Sequence, residues 1–386
     1  MTWPRRRRLL TIAHSYCVDV NRRLAQELAK NGDWDVTAVG PARFRGDFAW
    51  HTLDPRHDEA CAVVSVPLHC SRHVHVMLYG RRLLELLRQP WDLVHCWEEP
   101  YIAAAAQVAF GVPDDVPLVF ATFQNLAKRY PPPFSWFERY TLARAGGMIA
   151  FGRTSFEDLA GRAPGRVPKR FIPPGVDMAR FKPDPDARAA IFRECGWDEG
   201  TPVVGFLGRL VPEKGVAVLT AALERLKRPW RALVVGSGPL ESDLRAWGRR
   251  YGDRVRVVTA VQHDGVAPYL NAMNVLCAPS QTTPRWREQF GRMLIEAFAS
   301  GVPVVASASG EIPHVVADVG LIVGESDADG WERALAALIG DPARRAELAA
   351  RGRQRAEAAF AWPVVARQHL QFFDEIVAAP AARRAS

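Results

Sequence analysis

Short apolar runs separated by helix-length amphipathic stretches recur along almost the whole chain, and this alternation limits the fold more than any single residue does. In the first half, LLTIA, WDVTAV, CAVVSV, WDLVHCW, PLVFATF, MIAF and KRFI read as strands. Between them lie helical patterns such as NRRLAQELAKNG, with Gly32 as its stop. Strands separated by helix-length segments make parallel sheets covered on both faces. The second half repeats the pattern with PVVGFLG, RALVVGSG, RVRVVTA, NVLCAPS, VPVVAS and GLIVG. The fold class expected is α/β, with two doubly wound, Rossmann-like domains in tandem, and 386 residues suit two domains of ordinary size.

The stretch IPPGVDMARFKPDPDA (172–187) is rich in Pro and Asp and lacks apolar periodicity, so a boundary belongs there. The domains are read as 1–172 and 173–361. The last segment, 362–386, contains WPVVARQHLQFFDEIVAA at helical spacing and is expected to pack back on the first domain, with the tail PAARRAS fraying. In open parallel sheets ligands bind beyond the carboxyl ends of the strands. Two such sheets facing each other across a cleft would suit a two-substrate enzyme.

Composition removes several other classes. Hydrophobic residues make up 48% and charged residues 24%, the balance of an ordinary globular protein. No apolar run is long enough to cross a bilayer. The start, MTWPRRRRLLTIAHSY, shares only its arginines with a leader peptide and reads as a basic lead-in to a strand over Leu9–Ala13. Six cysteines stand apart with no CxxC, which fits reduced thiols in a cytoplasmic protein and argues against structural zinc. The formal charge is +8, with 23 Lys and Arg against 17 Asp and Glu up to residue 175 and 27 against 25 beyond it. That basic first half could attract an anionic acceptor or a membrane face, or be a solvated arginine-rich surface. No nucleic-acid-binding motif accompanies it, so nucleic acid is not an expected partner.

Three stretches of the second half could carry chemistry. GRLVPEKG (208–215) follows a strand and supplies Arg209 and Lys214 on a glycine-bounded loop before a helix. Exposed amides, a helix N-terminus and two cations suit a diphosphate; the alternative is a plain turn with solvated charges. VVGSGPLESDL (234–244) holds a strand-following GSG, but Glu241 stands where a dinucleotide fingerprint needs its third glycine. The first strand leads into AHSYCVDVN, which has no glycine, so a nicotinamide enzyme is remote. In WREQFGRMLIEAFASGVPVVAS, a helix is expected to begin at about Phe290-Gly291, placing Glu288 in the preceding loop and Glu296 inside the helix. Two fixed carboxylates around a helix N-terminus suit the paired hydroxyls of a polyol such as ribose and a sugar. Otherwise Glu288 is a first-turn acid and Glu296 a buried structural one, although an unpaired buried carboxylate is costly.

E-x-F-G-x-x-x-x-E over Glu288–Glu296, with GRLVPEKG upstream and SGVPVVAS and GEIP downstream, resembles the retaining glycosyltransferases of family 4, which have the GT-B fold. PPGVD-x-x-RF at the junction, GSGPLESDLRAW and NAMNVLCAPS extend the likeness over nearly all of the second domain. The first domain matches more loosely, through HSY (with His14), WDLVHCWEEPY and ATFQNLAKRYPPPF. The resemblance implies that a nucleotide-sugar donor (UDP- or GDP-sugar) binds the second domain and a hydroxyl acceptor the first. It implies that Glu296 bonds the ribose hydroxyls and that Arg209 and Lys214 hold the diphosphate. Glu288 and the Phe290-Gly291-Arg292 backbone would contact the transferred sugar, and the strand end near Val261 the base. Many relatives carry a histidine where this chain has Gln124, and glutamine cannot act as a base, so His14, His95, Glu98 and Glu99 join Gln124 as first-domain cleft candidates. A histidine placed like His95 is more often a satisfied strand-end residue than a catalyst.

The resemblance also implies transfer by attack from the leaving-group face, with a phosphate oxygen taking the acceptor proton. No DxD-type acidic cluster appears where a cation would be expected, and no metal or other cofactor is expected. KRYPPPFSWFERYTLARA (128–145) mixes aromatics with arginines and could rest on a membrane or guide a lipid-linked acceptor, or it is a proline-broken loop feeding a core-packed helix. A sugar-nucleotide epimerase and a non-catalytic sugar-nucleotide-binding protein are the alternatives within the same fold.

Overall fold

The computed structural model describes residues 5–46, 50–55 and 59–379; the first four residues and the tail PAARRAS lie outside them. The chain divides into two compact units, Met1–Pro174 with Trp362–Ser386, and Gly175–Ala361.

The first unit is built on a seven-stranded parallel sheet. Its strands are β1 (Arg7–Ile12), β2 (Trp34–Pro41), β3 (Ala62–Val66), β4 (Leu93–Cys96), β5 (Leu118–Thr122), β6 (Gly147–Ala150) and β7 (Lys169–Phe171). They lie in the order β7-β6-β5-β4-β1-β2-β3. The second unit's six strands are β8 (Val203–Leu207), β9 (Arg231–Val235), β10 (Val255–Val258), β11 (Val275–Ala278), β12 (Val304–Ser307) and β13 (Leu321–Val323). They lie in the order β10-β9-β8-β11-β12-β13 and are also all parallel. Each sheet therefore reverses its winding direction once, between β1 and β4 and between β8 and β11. Such a reversal opens a crevice at the carboxyl ends of the two strands, because the connections leave to opposite sides.

The strands read as continuous apolar runs because helices cover both faces; all residues of β4, β5, β6, β11 and β12 are buried. The first strand starts two residues earlier than the hydrophobic run suggests. Arg7 and Arg8 belong to it because their stems lie on aromatic faces, the Arg7 guanidinium 5.4 Å from the Trp34 ring and that of Arg8 4.5 Å from Trp91. A small antiparallel ribbon, Arg43–Arg45 with Trp50–Thr52, has too few apolar residues to announce itself.

The helices that matter for the site are α1 (Asp19–Asn31), α2 (Phe134–Arg144), α3 (Val216–Arg225), α4 (Arg292–Ala299) and α5 (Trp362–Ala378). Gly32 caps α1 with extended backbone, φ −144°, so the helix ends there without a left-handed turn. Helix α5 lies beside α1 in the first unit and buries Val365, Leu370, Phe372, Phe373 and Ile376. Each such side chain contributes about 1.5–3 kcal/mol on leaving water. Gly147 admits it closely: an added Cβ would lie 3.0 Å from Ile376 Cδ1 and 3.1 Å from Phe372 Cζ.

Candidate functional site

In the second unit, the loop after β8 passes the end of β11. Gly215 adopts φ +68°, and a Cβ there would sit 1.8 Å from the Pro279 carbonyl oxygen. Only glycine allows this close passage, and it places Lys214 and the start of α3 against the residues after β11. Gly236 and Gly238 serve the neighbouring loop in the same way. Leu210 N–H bonds the Ser237 carbonyl at 2.9 Å, and a Cβ on Gly236 would lie 1.8 Å from the Gly208 oxygen. The GSG sequence thus packs the loops together.

Lys214 Nζ reaches Glu288 Oε2 at 2.6 Å, and the Ser280 hydroxyl donates to the same oxygen at 2.8 Å. The ammonium also lies 5.1 Å from the Trp286 ring centroid. Glu288 is 5% exposed, so its charge is compensated where it stands. Its backbone carbonyl accepts from Glu311 N–H at 3.0 Å, and Gly310, at φ +53°, fits beneath it. Arg209 shares the loop, its guanidinium 4.0 Å from Glu213.

Helix α4 begins where the sequence pattern places it, with Gly291 as N-cap at φ +81°. Phe290 is buried and meets Phe360 edge-on at 5.9 Å, which anchors the backbone entering the helix. Glu296, inside the helix and 5% exposed, accepts from or shares a proton with His263 Nε2 at 2.8 Å. Burial would raise its carboxyl, but the His263 hydrogen bond and charge, with Arg292 and Arg180 behind them, hold it below the ordinary carboxylate value. Burial in turn pushes the Arg292 guanidinium down, against the pull of Glu296. Val261 stands two residues before His263 on the loop after β10, half-buried. The structure thus gathers Lys214 with Glu288, and the Val261 loop with Glu296, on either side of the α4 N-terminus.

In the first unit, His14 follows β1 and Glu98 follows β4, at the reversal of strand order. Glu98 Oε2 lies 2.5 Å from His14 Nδ1, and its Oε1 accepts from His14 N–H at 2.5 Å and the Tyr79 hydroxyl at 2.7 Å. Glu99 accepts from the Thr122 hydroxyl at 2.6 Å and Phe123 N–H at 2.7 Å. Burial pushes the Glu99 carboxyl up, more than these bonds lower it. Gln124 is buried, its amide donating to the Leu126 carbonyl, so it is committed to its own loop.

His95 does not belong with the cleft candidates. It is fully buried, bonded through Nδ1 to Thr11 at 3.1 Å and packed against Phe373 at 5.3 Å and His369 at 5.9 Å, under α5. Its strand is covered on both faces, so a polar residue there meets a helix and not solvent. Sequence reasoning missed Ser280, His263 and Tyr79. Ser280 ends the apolar CAPS run and could have been noticed; nothing local marks the other two. Among the described residues, no three His, Cys, Asp or Glu side chains gather as a metal site would need.

A family model described as Glycosyl transferases group 1 matches residues 187–355, and one described as Glycosyltransferase Family 4 matches residues 19–180. A GDP-mannose-dependent monoacylated alpha-(1-6)-phosphatidylinositol monomannoside mannosyltransferase of Corynebacterium glutamicum is 35% identical over 201 residues, 50% of this chain and 53% of that protein. A D-inositol 3-phosphate glycosyltransferase of Salinispora tropica is 32% identical over 324 residues, 75% of this chain and 64% of that protein. The chain thus spans about half the length of the first relative and under two thirds of the second. Among solved structures, sucrose-phosphate synthase from Thermosynechococcus elongatus superposes with TM-score 0.73 at 24% identity, over 97% of this chain and 100% of that one. Anabaena HepE in complex with UDP and glucose gives TM-score 0.73 at 18% identity, over 96% of this chain and 100% of that one. Likeness at such identity is likeness of fold.

Proposed function

The chain belongs to glycosyltransferase family 4, built on the GT-B fold, and on that premise we propose that it transfers a hexose-type sugar from a nucleoside-diphosphate sugar to a hydroxyl acceptor, with retention at the anomeric carbon. One observation carries the reading. At the strand-order reversal of the second sheet, glycines that admit no side chain hold Lys214 and Glu288 beside the start of α4, the helix that carries the buried Glu296. Cations and amides held in place suit a diphosphate, and rigid carboxylates suit vicinal hydroxyls.

In this reading Glu296 takes the ribose hydroxyls and the Val261 loop faces the base. Lys214 and Arg209 face the diphosphate, and Glu288 with the Phe290-Gly291-Arg292 backbone contacts the sugar. As the bond to the anomeric carbon breaks, negative charge grows on the diphosphate and is met by groups already in position, an effect that commonly contributes more to catalysis than any other. The acceptor attacks from the same face and gives its proton to a phosphate oxygen, so no protein nucleophile is required. Glu288 sets the Lys214 ammonium in place before the donor arrives.

The GDP-mannose-dependent relative makes GDP-mannose the first donor to try, and the HepE complex with UDP and glucose makes a UDP-sugar the second. A thermal-shift screen with UDP, GDP, ADP and TDP, followed by turnover with the matching sugars, tests the proposal. A ligand at a hundredfold excess over its dissociation constant adds about 2.7 kcal/mol of stability. Failure of every nucleotide to shift the melting temperature and of every donor to turn over would reject it; binding without turnover would leave a sugar-nucleotide-binding protein. Transfer should persist in EDTA, the cations doing the work of a metal; loss that Mg²⁺ restores would refute that point.

For the acceptor, a lipid-linked or other glycan hydroxyl is proposed. No described helix is long and apolar enough to cross a membrane. Helix α2 instead exposes Trp136 and Tyr140 beside Arg139, with Lys128 and Arg129 on the approach, a surface suited to peripheral contact with an anionic bilayer. Flotation with anionic liposomes tests this, and a protein that stays at the bottom of the gradient would remove it.

A further inference from the structure

The first unit presents one side chain whose partners fix it while leaving an edge in the open. Glu98 has no exposed side-chain surface and carries the His14 ring on one oxygen and two further donors on the other. The His14 side chain is 26% exposed and tilts against Phe44 of the small ribbon, ring centroids 4.8 Å apart. With Nδ1 committed to Glu98, Nε2 is the ring atom left for a ligand, just beyond the carboxyl end of β1. A fully buried carboxylate that holds an imidazole is a costly arrangement, and cost of this kind is typical of working sites.

The charged and titratable groups around the ring are few. Glu98 lies behind it, and Glu99 is close enough to act through space. The Cys17 thiol donates to the His14 carbonyl, Tyr79 acts through Glu98, and Arg43 and Arg45 flank Phe44. Burial lowers the proton affinity of the ring, but Glu98 and Glu99 outweigh it and hold His14 above the ordinary histidine value. Protonated, the ring has no lone pair on Nε2 and serves as a donor.

We propose that His14 contacts substrate in the transfer reaction, giving an Nε2–H hydrogen bond to a substrate oxygen, with Glu98 as the positioning residue that fixes the ring. This rests on the transferase reading above. A donor in this place steadies an oxygen that carries negative charge or lone pairs; a base would instead remove a proton from the attacking hydroxyl, and the two roles demand opposite pH dependence.

The experiment is the pH dependence of transfer, from about pH 5.5 to about pH 9, for the wild type, His14→Gln, Glu98→Gln and Tyr79→Phe. Wild-type kcat/KM should fall as pH rises through the His14 ionisation. His14→Gln should lose that limb and drop kcat/KM by about 10- to 100-fold, the worth of one charged hydrogen bond. Glu98→Gln should move the limb to lower pH, because the imidazolium loses its counter-charge. Tyr79→Phe removes a competing donor from Glu98 and should move it to higher pH, which gives a second, milder variant should Glu98→Gln fold poorly. A rise in the acceptor KM of His14→Gln assigns the oxygen to the acceptor, and a rise in the donor KM assigns it to the diphosphate. Full activity of His14→Gln, a limb that Glu98→Gln and Tyr79→Phe leave in place, or activity that grows as His14 deprotonates would each overturn the proposal. A wild type that transfers nothing overturns the transferase reading itself, and this inference with it.

Discussion

Lowering the pH from 7 toward 4 should loosen the first unit, because His95 and His369 are folded into it as neutral imidazoles. Both are fully buried, His95 under α5 and His369 on its inner face, and burial pushes the His369 ring down to about 4 and that of His95 well below its ordinary value. Above about pH 6.5 the folded and unfolded chains are both neutral at these positions, so the titration of neither histidine affects stability there. Below it the unfolded chain takes up a proton that the folded chain refuses. Stability then falls by about 1.4 kcal/mol per pH unit for each group until the folded pKa is reached. For His369 the interval from 6.5 to about 4 amounts to roughly 3 kcal/mol. The perturbation that isolates it is His369→Leu, which removes the titration and one hydrogen bond, Nδ1 to the Val365 carbonyl at 2.9 Å. That bond is worth about 1 kcal/mol, so the variant should start slightly less stable at neutral pH and overtake the wild type in acid. Urea unfolding at several pH values, with hydrogen exchange read from peptides of α5, gives the difference between the two proteins and cancels the carboxylates they share. A difference that stays flat between pH 7 and pH 4 would refute the reasoning.

Glu296→Ala should weaken nucleotide binding by about tenfold to a hundredfold in a thermal-shift or calorimetric titration, since one acceptor of two hydroxyls is lost. Glu288→Ala should leave nucleotide binding nearly intact and cut kcat by about a hundredfold, because the transferred sugar loses the carboxylate assigned to it; equal behaviour of the two variants would reject their separate roles. Gly215→Ala should cost about 3 kcal/mol or more, as a methyl cannot share space with the Pro279 oxygen at 1.8 Å while φ is +68°; a chemical melt reads this directly.

Much of the architecture was legible because a sheet covered on both faces writes its strands as unbroken apolar runs, and VVGFL, RALVV and VLCA could hardly be anything else. The α4 entrance was legible for a local reason: Gly291 and the acids around it lie within one short stretch. What remained hidden are partnerships across long separations. Lys214 and Glu288 were each singled out, but for the phosphate and the sugar, not for each other, and 74 residues separate them. His14 and Glu98 are 84 residues apart and meet only because β1 and β4 are neighbours. His95 stayed open between cleft and core for the converse reason. In a doubly covered strand the parity of side chains does not say which are near solvent, so a histidine beside Trp97 and Glu98 looked reachable.

The first unit is completed by α5, Trp362–Ala378, while the whole second unit, Gly175–Ala361, intervenes. During synthesis, a nascent polypeptide therefore passes through a stage in which the later-made half can finish and the earlier-made half cannot. Until Trp362 and the residues after it emerge, the face of α1 and β2 destined for Leu370 and Phe373 stays wet and adhesive. A ribosome stalled short of that point would release a molecule with one mature lobe and one sticky one, the kind of species that chaperones exist to hold.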